Sequence, residues 1–253
     1  MPKRDSQPRV LVVGSAGRIG QAVVAELKTR GIALRGFDRV PTPDVSEAVV
    51  ADITDAEALA KSMAGVKTVI HLAGTPDDVD DVVGDLIPNN VVGLYRVMEA
   101  ARMAGIKRLV LASSGQVNWW QRQSGPLPVR ASDPTSPRYW YAAGKVFMES
   151  IGRGYAETHG ISVIAARLGW CPRTRAHLEE IGGNDWAKDV YLSPGDAGRF
   201  FADCVEAAAD IRYAILFATS RPLKVQYFDL EPTRQLIGYS PREQWPQGIE
   251  IVR

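Results

Sequence analysis

The chain has 253 residues, of which 45% are hydrophobic, 8% aromatic and 23% charged, a composition that excludes collagen, coiled coil and intrinsic disorder. Lys and Arg number 30 against 29 Asp and Glu, so the formal charge is +1. This balance carries no electrostatic signature of a nucleic-acid partner or an anionic membrane, and we expect neither.

Residues 1–8 contain no apolar stretch, which is unlike a signal peptide, and the sequence nowhere approaches the ~18 consecutive apolar residues of a membrane span. We therefore predict a cytoplasmic protein. Cys171 and Cys204 are far apart and have no neighbouring Cys or His at the spacing of metal ligands. We expect two reduced thiols and no metal site.

Apolar periodicity predicts strands that alternate with helices through about residue 167. A continuous apolar run at 10–13 is typical of a strand buried on both faces, and a helix with apolar residues three or four apart follows Gly14. Further strands are predicted at 32–38, 49–52, 68–72, 108–112, 162–166 and 213–217. Further helices are predicted at 56–63, 90–103, 141–159, 194–209 and 228–237, and irregular segments at 115–138 and 169–195. This order predicts an α/β fold with a doubly wound parallel sheet of the Rossmann type.

A glycine-rich turn lies between the first strand and the first helix. Its sequence is Gly14-Ser15-Ala16-Gly17-Arg18-Ile19-Gly20. Glycine at this spacing permits a tight turn and lets the backbone approach a pyrophosphate, which the free N–H groups of the helix then bind. Asp38 ends the second strand, where a carboxylate accepts both ribose hydroxyls of NAD and repels the 2′-phosphate of NADP. Arg39 follows directly and would accommodate that phosphate, so NAD is predicted and NADP is the alternative.

Two further strand ends are predicted to face the cofactor. Asp52 and Ile53 follow the third strand and would cover the adenine, although Asp52 is equally suited to capping the next helix. Leu72, Ala73 and Gly74 follow the fourth strand, and their small size would let a cofactor lie close to the backbone. We interpret the preceding histidine at position 71 as a structural residue.

Tyr141 and Lys145 have the i, i+4 spacing that places two side chains on one face of a helix. A free phenol has a pKa near 10, and a neighbouring ammonium favours the phenolate. Ser113 and Ser114 stand at the end of the fifth strand, where a hydroxyl would polarise a carbonyl. Ser114 is favoured for this role, with Ser113 as its competitor.

Several motifs occur together in one order along the chain. They are the 14–20 turn, Asp38, Asp52, His71-Leu72-Ala73-Gly74, Asn90-Val91-Val92-Gly93, Ala112-Ser113-Ser114 and Tyr141-Ala142-Ala143-Gly144-Lys145. Over about residues 9–170 the chain resembles the short-chain dehydrogenase/reductase superfamily, in its NAD-dependent epimerase/dehydratase branch. The resemblance implies that Tyr141 is the general acid/base and that Lys145 binds the nicotinamide ribose and lowers the tyrosine pKa. It also implies that Ser114 hydrogen-bonds the reacting group and that Asn90 supports the proton relay beside the cofactor.

The C-terminal third is similar to uronate dehydrogenases, which oxidise the anomeric hydroxyl of a hexuronic acid with NAD. The similarity rests on the segments 167–172, 191–196 and 236–241. It implies one domain over 1–253, with a dinucleotide-binding core at about 9–167 and a small, interleaved substrate-binding part at about 168–253.

The chain departs from uronate dehydrogenases near the expected substrate. Those enzymes follow the paired serines with Asn-His, where this chain has Gly115-Gln116, and they carry a serine where it has Thr75-Pro76. The substrate carboxylate requires an arginine, which the loop after Pro172 would supply. The candidate substrate-binding residues are Thr75, Ser113, Ser114, Gln116, Trp119, Arg173 and Arg175. Trp119 and Trp120 would wall the active site or anchor their loop, and the two arginines are otherwise solvated charges.

These observations favour an NAD-dependent oxidoreductase that moves a hydride between nicotinamide and a hydroxyl or carbonyl carbon of a small sugar-like substrate. The alternatives are a ketone reductase for a bulkier substrate, a sugar epimerase or dehydratase, and a non-catalytic dinucleotide sensor. A homodimer is also implied by the resemblance. Its apolar faces would be Val91, Leu94, Val97 and Met98 on one helix, with Val146, Phe147 and Ile151 on the tyrosine-bearing helix.

Overall fold

The backbone forms one seven-stranded sheet in which each neighbouring pair of strands is parallel. A computed structural model describes residues 10–77 and 79–251, so the predicted polar tail at 1–8 lies outside the described residues. The strands are β1 Val10–Val13, β2 Leu34–Asp38, β3 Ala48–Val50, β4 Thr68–His71, β5 Arg108–Ser114, β6 Ser162–Leu168 and β7 Tyr213–Ala218. Their spatial order is β3-β2-β1-β4-β5-β6-β7, which confirms the predicted doubly wound Rossmann-type sheet.

The helices cover both faces of the sheet. They are α1 Arg18–Thr29, α2 Ala56–Ser62, α3 Gly93–Met103, α4 Trp119–Ser124, α5 Trp140–His159, α6 Arg175–Gly183, α7 Asp185–Asp189, α8 Pro194–Glu206 and α9 Glu231–Ile237. Alternate residues of β1 enter the two cores: Val10 and Val12 pack on the face that α8 covers, and Leu11 and Val13 on the opposite face. This alternation explains why the strand is apolar at every position.

The strand order reverses between β1 and β4, which lie side by side in register. The chain leaves β1 toward one edge of the sheet and leaves β4 toward the other. Loops at the carboxyl ends of such neighbouring strands diverge and leave a crevice, which is where open α/β sheets bind ligands.

The predicted helix at 90–103 differs in its first part. An α-helix begins only at Gly93, and the preceding segment Val82–Val92 is a π-helix that contains Pro88. Proline has no N–H and clashes with the carbonyl four residues earlier, so a regular α-helix cannot run through it. The predicted irregular segments also contain three short helices, α4, α6 and α7, which are too short to show apolar periodicity.

The predicted dimer face is only partly exposed. Leu94, Val97 and Met98 are buried in the chain's own core, so their assignment to a subunit contact was wrong. Phe147 and Ile151 are exposed on α5 as expected. Across 10–77 and 79–251, none of the helices combines the length and apolar character needed to cross a membrane.

Candidate active site

A cleft of about 850 Å³ opens along the carboxyl ends of the central strands. Its floor begins at the turn after β1, continues past the ends of β2, β3, β4 and β5, and reaches the segment after β6. Most of the predicted site residues line it, although they are spread from Gly14 to Arg173 in the sequence. The parallel sheet therefore brings the separate motifs to one place.

The glycine-rich turn packs against the end of β4 too closely for a side chain. Gly14 has a φ of +91°, and a Cβ there would lie 2.6 Å from the Ala73 nitrogen. A Cβ on Gly20 would lie 2.1 Å from the carbonyl oxygen of Gly14. Glycine is required at both positions because the backbone itself forms the wall, which leaves the first N–H groups of α1 facing the cleft.

Asp38 stands at the end of β2, beside this turn. Its Oδ2 accepts a hydrogen bond from the Ala16 amide at 3.0 Å, and its Oδ1 accepts one from the Val40 amide at 3.3 Å. A carboxylate has about four acceptor positions, so two remain for ligand hydroxyls. Arg39 also lines the cleft and is exposed.

The ends of β3 and β4 complete this part of the cleft. Asp52 and Ile53 line it, but the carboxylate of Asp52 already accepts hydrogen bonds from the amide and hydroxyl of Thr54. The N-cap of α2 is Asp55, so the interpretation of Asp52 as the helix cap was wrong. Leu72, Ala73 and Gly74 line the cleft from the β4 side, and Gly74 has a φ of +151°.

His71 lies below the cleft rather than in it. Neither ring nitrogen has a hydrogen-bond partner in the described part of the chain. Burial, with a smaller effect from the nearby Lys145 ammonium, lowers the pKa of His71 to about 3. The ring is therefore neutral at physiological pH and serves packing, as the sequence suggested.

The two serines at the end of β5 point in different directions. The Ser113 hydroxyl donates to Glu149 Oε1 at 2.6 Å in the interior, where Glu149 also pairs with Arg167 at 2.8 Å. Ser114 instead hydrogen-bonds the Tyr141 side chain, and its Oγ accepts from the Gln116 amide at 3.2 Å. Adjacent residues of a strand face opposite sides, so only one of the pair can point into the cleft.

Tyr141 and Lys145 share one face of α5, as their spacing predicted. The Lys145 ammonium lies 5.3 Å from the centre of the Tyr141 ring and donates to the Ala112 carbonyl at 2.8 Å. Both side chains line the cleft next to Ser114. Two hydroxyls and an ammonium thus converge at the middle of the cleft, which is the arrangement that acid–base chemistry on a hydroxyl or carbonyl requires.

The pKa values of Tyr141 and Lys145 both depart from their ordinary values. Burial and the Asp77 carboxylate raise the pKa of Tyr141 to about 12, while Arg173 and the hydrogen bond with Ser114 act in the opposite direction. Burial lowers the pKa of Lys145 to about 8. The tyrosine pKa is therefore raised in the protein by itself and not lowered as predicted, because desolvation of the phenol is the largest effect.

Asn90 lies in the π-helix and does not line the cleft. Its Oδ1 accepts from the Thr75 amide at 2.6 Å, and its Nδ2 donates to the Thr75 carbonyl at 3.0 Å. The Thr75 side chain lines the cleft, but its hydroxyl donates to Asp85 at 2.6 Å. Asn90 therefore fixes the backbone that follows Gly74, and it would act on a ligand only through that backbone.

Aromatic side chains from distant segments wall the far end of the cleft. Trp119 from α4, Trp186 from α7 and Trp170 from the loop after β6 all line it. Trp170 and Trp186 stack with ring centres 5.8 Å apart, and Trp119 meets Trp186 edge-on at 6.4 Å. Trp120, the alternative member of the predicted pair, is 52% exposed outside the cleft.

The two candidate arginines after Pro172 are placed differently. Arg173 lines the cleft, where it donates to the Pro76 carbonyl and pairs with Asp77 at 3.3 Å. Arg175 begins α6 with a side chain that is 91% exposed, and it lies outside the cleft. Gln116 lines the cleft directly after the serines. The predicted substrate residues therefore line the cleft with two corrections: Arg175 lies outside it, and the Ser113 hydroxyl is turned away from it toward Glu149.

Known proteins are similar to this chain in sequence and in fold. A family model described as the NAD dependent epimerase/dehydratase family matches residues 10–170. L-arabinose 1-dehydrogenase (NAD(P)(+)) of Haloferax volcanii is 30% identical, over 96% of this chain and 99% of that protein. The chain belongs to the NAD dependent epimerase/dehydratase family. NAD-dependent glucose-6-phosphate dehydrogenase of the same organism is 29% identical, over 92% and 93% of the two chains. A solved structure, a mutated uronate dehydrogenase, has a TM-score of 0.78 at 25% identity and covers 97% of this chain and 86% of that one.

As a member of the NAD-dependent family, the chain is an enzyme with NAD as its cofactor, which confirms the sequence prediction. The residues of the cleft fit this cofactor. Arg18, at the start of α1, has its Nε and Nη2 atoms buried without a hydrogen-bond partner among the described residues. A guanidinium that has no carboxylate partner among the described residues, at the helix N-terminus whose first N–H groups lack intrahelical acceptors, matches the charge of a pyrophosphate. Asp38 has acceptor positions left and would hold the hydroxyls of the adenosine ribose, and Lys145, which lines the same cleft, would hold the nicotinamide ribose.

The predicted site residues did not include three that line the far, aromatic end of the cleft, which we call the substrate end: Arg122, Trp170 and Trp186. Arg122 lies three residues after Trp119, the spacing that places two side chains on one face of a helix, and this signal was available once α4 was recognised. No local signal marks Trp170 and Trp186, because their neighbours in the wall come from another segment.

Proposed function

We propose that the protein is an NAD-dependent dehydrogenase that oxidises a hydroxyl of a small sugar or sugar acid. The observation that carries this proposal is the convergence of Ser114, Tyr141 and Lys145 in the cleft, between the residues suited to NAD and the aromatic wall. The three side chains come from β5 and α5, two elements that pack together, so their geometry is rigid.

Each of the three groups has a distinct task. The phenolate oxygen of Tyr141 takes the proton from the substrate hydroxyl as the carbon is oxidised. The Ser114 hydroxyl hydrogen-bonds the same substrate oxygen and holds it within reach of the phenol. Lys145 is protonated at neutral pH, because its pKa is about 8, and its charge favours the phenolate. NAD⁺, when bound, would supply the hydride acceptor.

Relatives named for three kinds of sugar support the substrate class. They are an L-arabinose dehydrogenase, a glucose-6-phosphate dehydrogenase and a uronate dehydrogenase. The Trp119, Trp170 and Trp186 wall supplies the apolar surface on which a sugar ring packs. We propose that residues to about 167 hold the cofactor, and that residues from about 168 onward shape the substrate end together with the 115–122 segment.

The experiment that tests the proposal is the absorbance at 340 nm with NAD⁺ and a panel of L-arabinose, glucose, glucose 6-phosphate, glucuronate and galacturonate. We expect NADH to form with at least one member. Tyr141→Phe should lower kcat by about 10²- to 10⁴-fold, the usual contribution of a positioned acid–base group, with unchanged NADH affinity.

The matched control is Tyr95→Phe, which removes the same hydroxyl from an exposed tyrosine on α3 and should retain wild-type activity. Tyr141→Phe with wild-type turnover would remove the phenol from the mechanism. No turnover with any sugar, in a protein that binds NADH, would favour the second candidate or a dinucleotide sensor.

The aromatic wall favours one second candidate, the reduction of a ketone on a bulkier substrate. Three tryptophans, Tyr139 and Phe228 line the same end of the cleft, which is more apolar surface than a small sugar covers. Consumption of NADH with aryl ketones, in the absence of activity on any sugar, would establish this alternative.

We also propose a cytoplasmic homodimer. The exposed apolar residues of α3 and α5 include Tyr95, Met103, Phe147 and Ile151, and two copies of this face would cover one another. Light scattering at micromolar concentration should give twice the chain mass of 27.6 kDa, and Phe147→Asp should reduce it to the monomer value. A monomeric wild type would contradict the dimer.

A further inference from the structure

Arg122 occupies an unusual position at the substrate end of the cleft. Its guanidinium carbon lies 4.5 Å from the centre of the Trp119 ring and 4.1 Å from that of Trp186, so the group sits between two indoles. The residue is 8% exposed and lines the cleft. Burial lowers the pKa of Arg122 to about 10, which still leaves the side chain positively charged at neutral pH.

This buried cation has no acidic partner in the part of the chain that the structure describes. Its Nη2 atom is buried without a hydrogen bond. The two other strongly buried arginines are satisfied: Arg167 by Glu149, and Arg108 by backbone carbonyls at the end of α8. Burying a charge without a counter-charge or hydrogen bonds is costly, so an unpaired arginine in a ligand cleft indicates that the ligand provides the partner.

The two indoles also restrict how Arg122 binds. The Trp119 and Trp186 rings are inclined at 75° with their centres 6.4 Å apart, so they flank the guanidinium from two adjacent directions and leave other N–H groups for a ligand in the cleft. Those N–H groups form a planar fork that matches the two oxygens of a carboxylate or phosphate. Among the carboxylates that line the cleft, Asp77 pairs with Arg173 and Asp85 accepts from Thr75. Glu180 also lines the cleft, and no ion pair joins it to Arg122 within the described residues.

We propose that Arg122, held between Trp119 and Trp186, binds an anionic group of the substrate through bidentate hydrogen bonds. The inference rests on the proposed function, and it restricts the substrate class to sugars that carry a carboxylate or a phosphate. It also assigns the anion to α4 rather than to the loop after Pro172. Arg173 is exposed and already pairs with Asp77, and Arg175 lies outside the cleft.

The first test compares anionic and neutral substrates in the wild type and two variants. Arg122→Met removes the charge but keeps an elongated side chain between the indoles, and Arg122→Lys keeps the charge without the fork. We expect Arg122→Met to raise the KM for glucuronate or glucose 6-phosphate by about 10- to 100-fold, with kcat changed less, and Arg122→Lys to lie between it and the wild type. The KM for glucose, which lacks the anionic group, should stay the same.

The matched control is Arg138→Met. Arg138 also stacks on Trp119, at 5.2 Å, but from the exposed side and outside the cleft. This variant should behave as wild type with every sugar. An equal loss for charged and neutral sugars in Arg122→Met would show that Arg122 only supports the wall, and would overturn the anion site while leaving the proposed function intact.

The second test does not need turnover. Calorimetric titration of the protein–NADH complex with glucuronate, glucose 6-phosphate and glucose should show binding of the charged sugars, with loss in Arg122→Met. The carboxylate and phosphate arms identify which anion is preferred. Anion binding without oxidation of any sugar would contradict the proposed dehydrogenase activity but support the anion site at Arg122. Glucose binding as tightly as either anion would overturn the site.

Discussion

At the cofactor end of the cleft, the surface is main chain from consecutive residues, 14–20, pressed against the end of β4. At the substrate end, the surface is side chains from two segments far apart in sequence, 115–122 and 169–190. The first region depends on small residues and backbone N–H groups, and the second on stacked indoles around a cation. The surface at the cofactor end can therefore be predicted from a local motif, whereas the surface at the substrate end forms only when the chain folds.

A buried polar cluster behind the cleft ties the substrate end to α5, the helix that carries Tyr141 and Lys145. Glu149 on α5 accepts from Ser113 on β5 and from Arg167 on β6, and Arg167 also donates to Asn118 at 2.8 Å. Asn118 directly precedes Trp119, the first residue of the aromatic wall. The position of the wall relative to Tyr141 therefore depends on this cluster.

The largest effect is expected where this link is broken. Glu149→Gln leaves the Arg167 guanidinium buried without its carboxylate, which costs about 3–5 kcal/mol of the free energy of unfolding. Because Asn118 leads into the wall, the substrate KM should rise more than the NADH dissociation constant. Denaturant unfolding and steady-state kinetics measure the two effects.

Glu157→Gln is the matched control for that variant. Glu157 pairs with Arg212 at 3.0 Å on the surface, with both side chains more than half exposed. Exposed pairs contribute about 0–1 kcal/mol, so its loss should be small. Equal losses in the two variants would show that the buried cluster does not stabilise the junction.

The next largest effect is confined to the cofactor end. Gly20→Ala places a Cβ against the Gly14 carbonyl, 2.1 Å away, and overpacking of this kind costs about 1–3 kcal/mol. We expect lower stability and at least about tenfold weaker NADH binding, measured by fluorescence titration. Gly154→Ala is the control, because that helical position has nothing within 4 Å and alanine there should stabilise by up to about 1 kcal/mol.

A smaller effect concerns the choice between NAD and NADP. Asp38→Ala removes the carboxylate that would repel a 2′-phosphate, beside Arg39, which would attract it. We expect the ratio of kcat/KM for NAD over NADP to fall about tenfold, or about 1.4 kcal/mol. Asp38→Asn retains an acceptor for the Ala16 amide and lacks the charge. Unchanged selectivity in both variants would remove Asp38 from cofactor selection.

The smallest effect is a pH dependence at the boundary between the two regions. The buried Lys145 has a pKa of about 8 against an ordinary 10.5, so the unfolded chain binds more protons than the native one between these values. The contribution of Lys145 to the free energy of unfolding therefore increases as the pH rises from 8 to 10.5. It decreases again as the pH falls toward 8. Between pH 8 and pH 9 the difference in the free energy of unfolding between wild type and Lys145→Met should change by about 1 kcal/mol. Parallel pH profiles would contradict this.

Local patterns were enough to place the cofactor end. Each feature of this end meets a local need that the sequence displays. The strand β1 is apolar because it is buried on both faces, glycines follow it because a Cβ would clash with backbone, and Asp38 ends β2 beside that turn. The same holds for Tyr141 and Lys145, because helix geometry alone places residues four apart on one face. The π-helix before α3 was not predicted, although Pro88 was visible, because apolar spacing does not distinguish the two helix types.

The sequence by itself determined the order of the motifs along the chain, the resemblance to a family, and the pairing of Tyr141 with Lys145. Only the tertiary structure decided which serine faces the cleft, which tryptophan of the 119–120 pair lines it, and that Arg122 lies between two indoles. The physical reason is that a backbone site needs residues adjacent in sequence, whereas a side-chain wall needs residues adjacent in space. Its partners come from α4, which follows β5, and from α7, which follows β6, and these two strands are neighbours in the sheet.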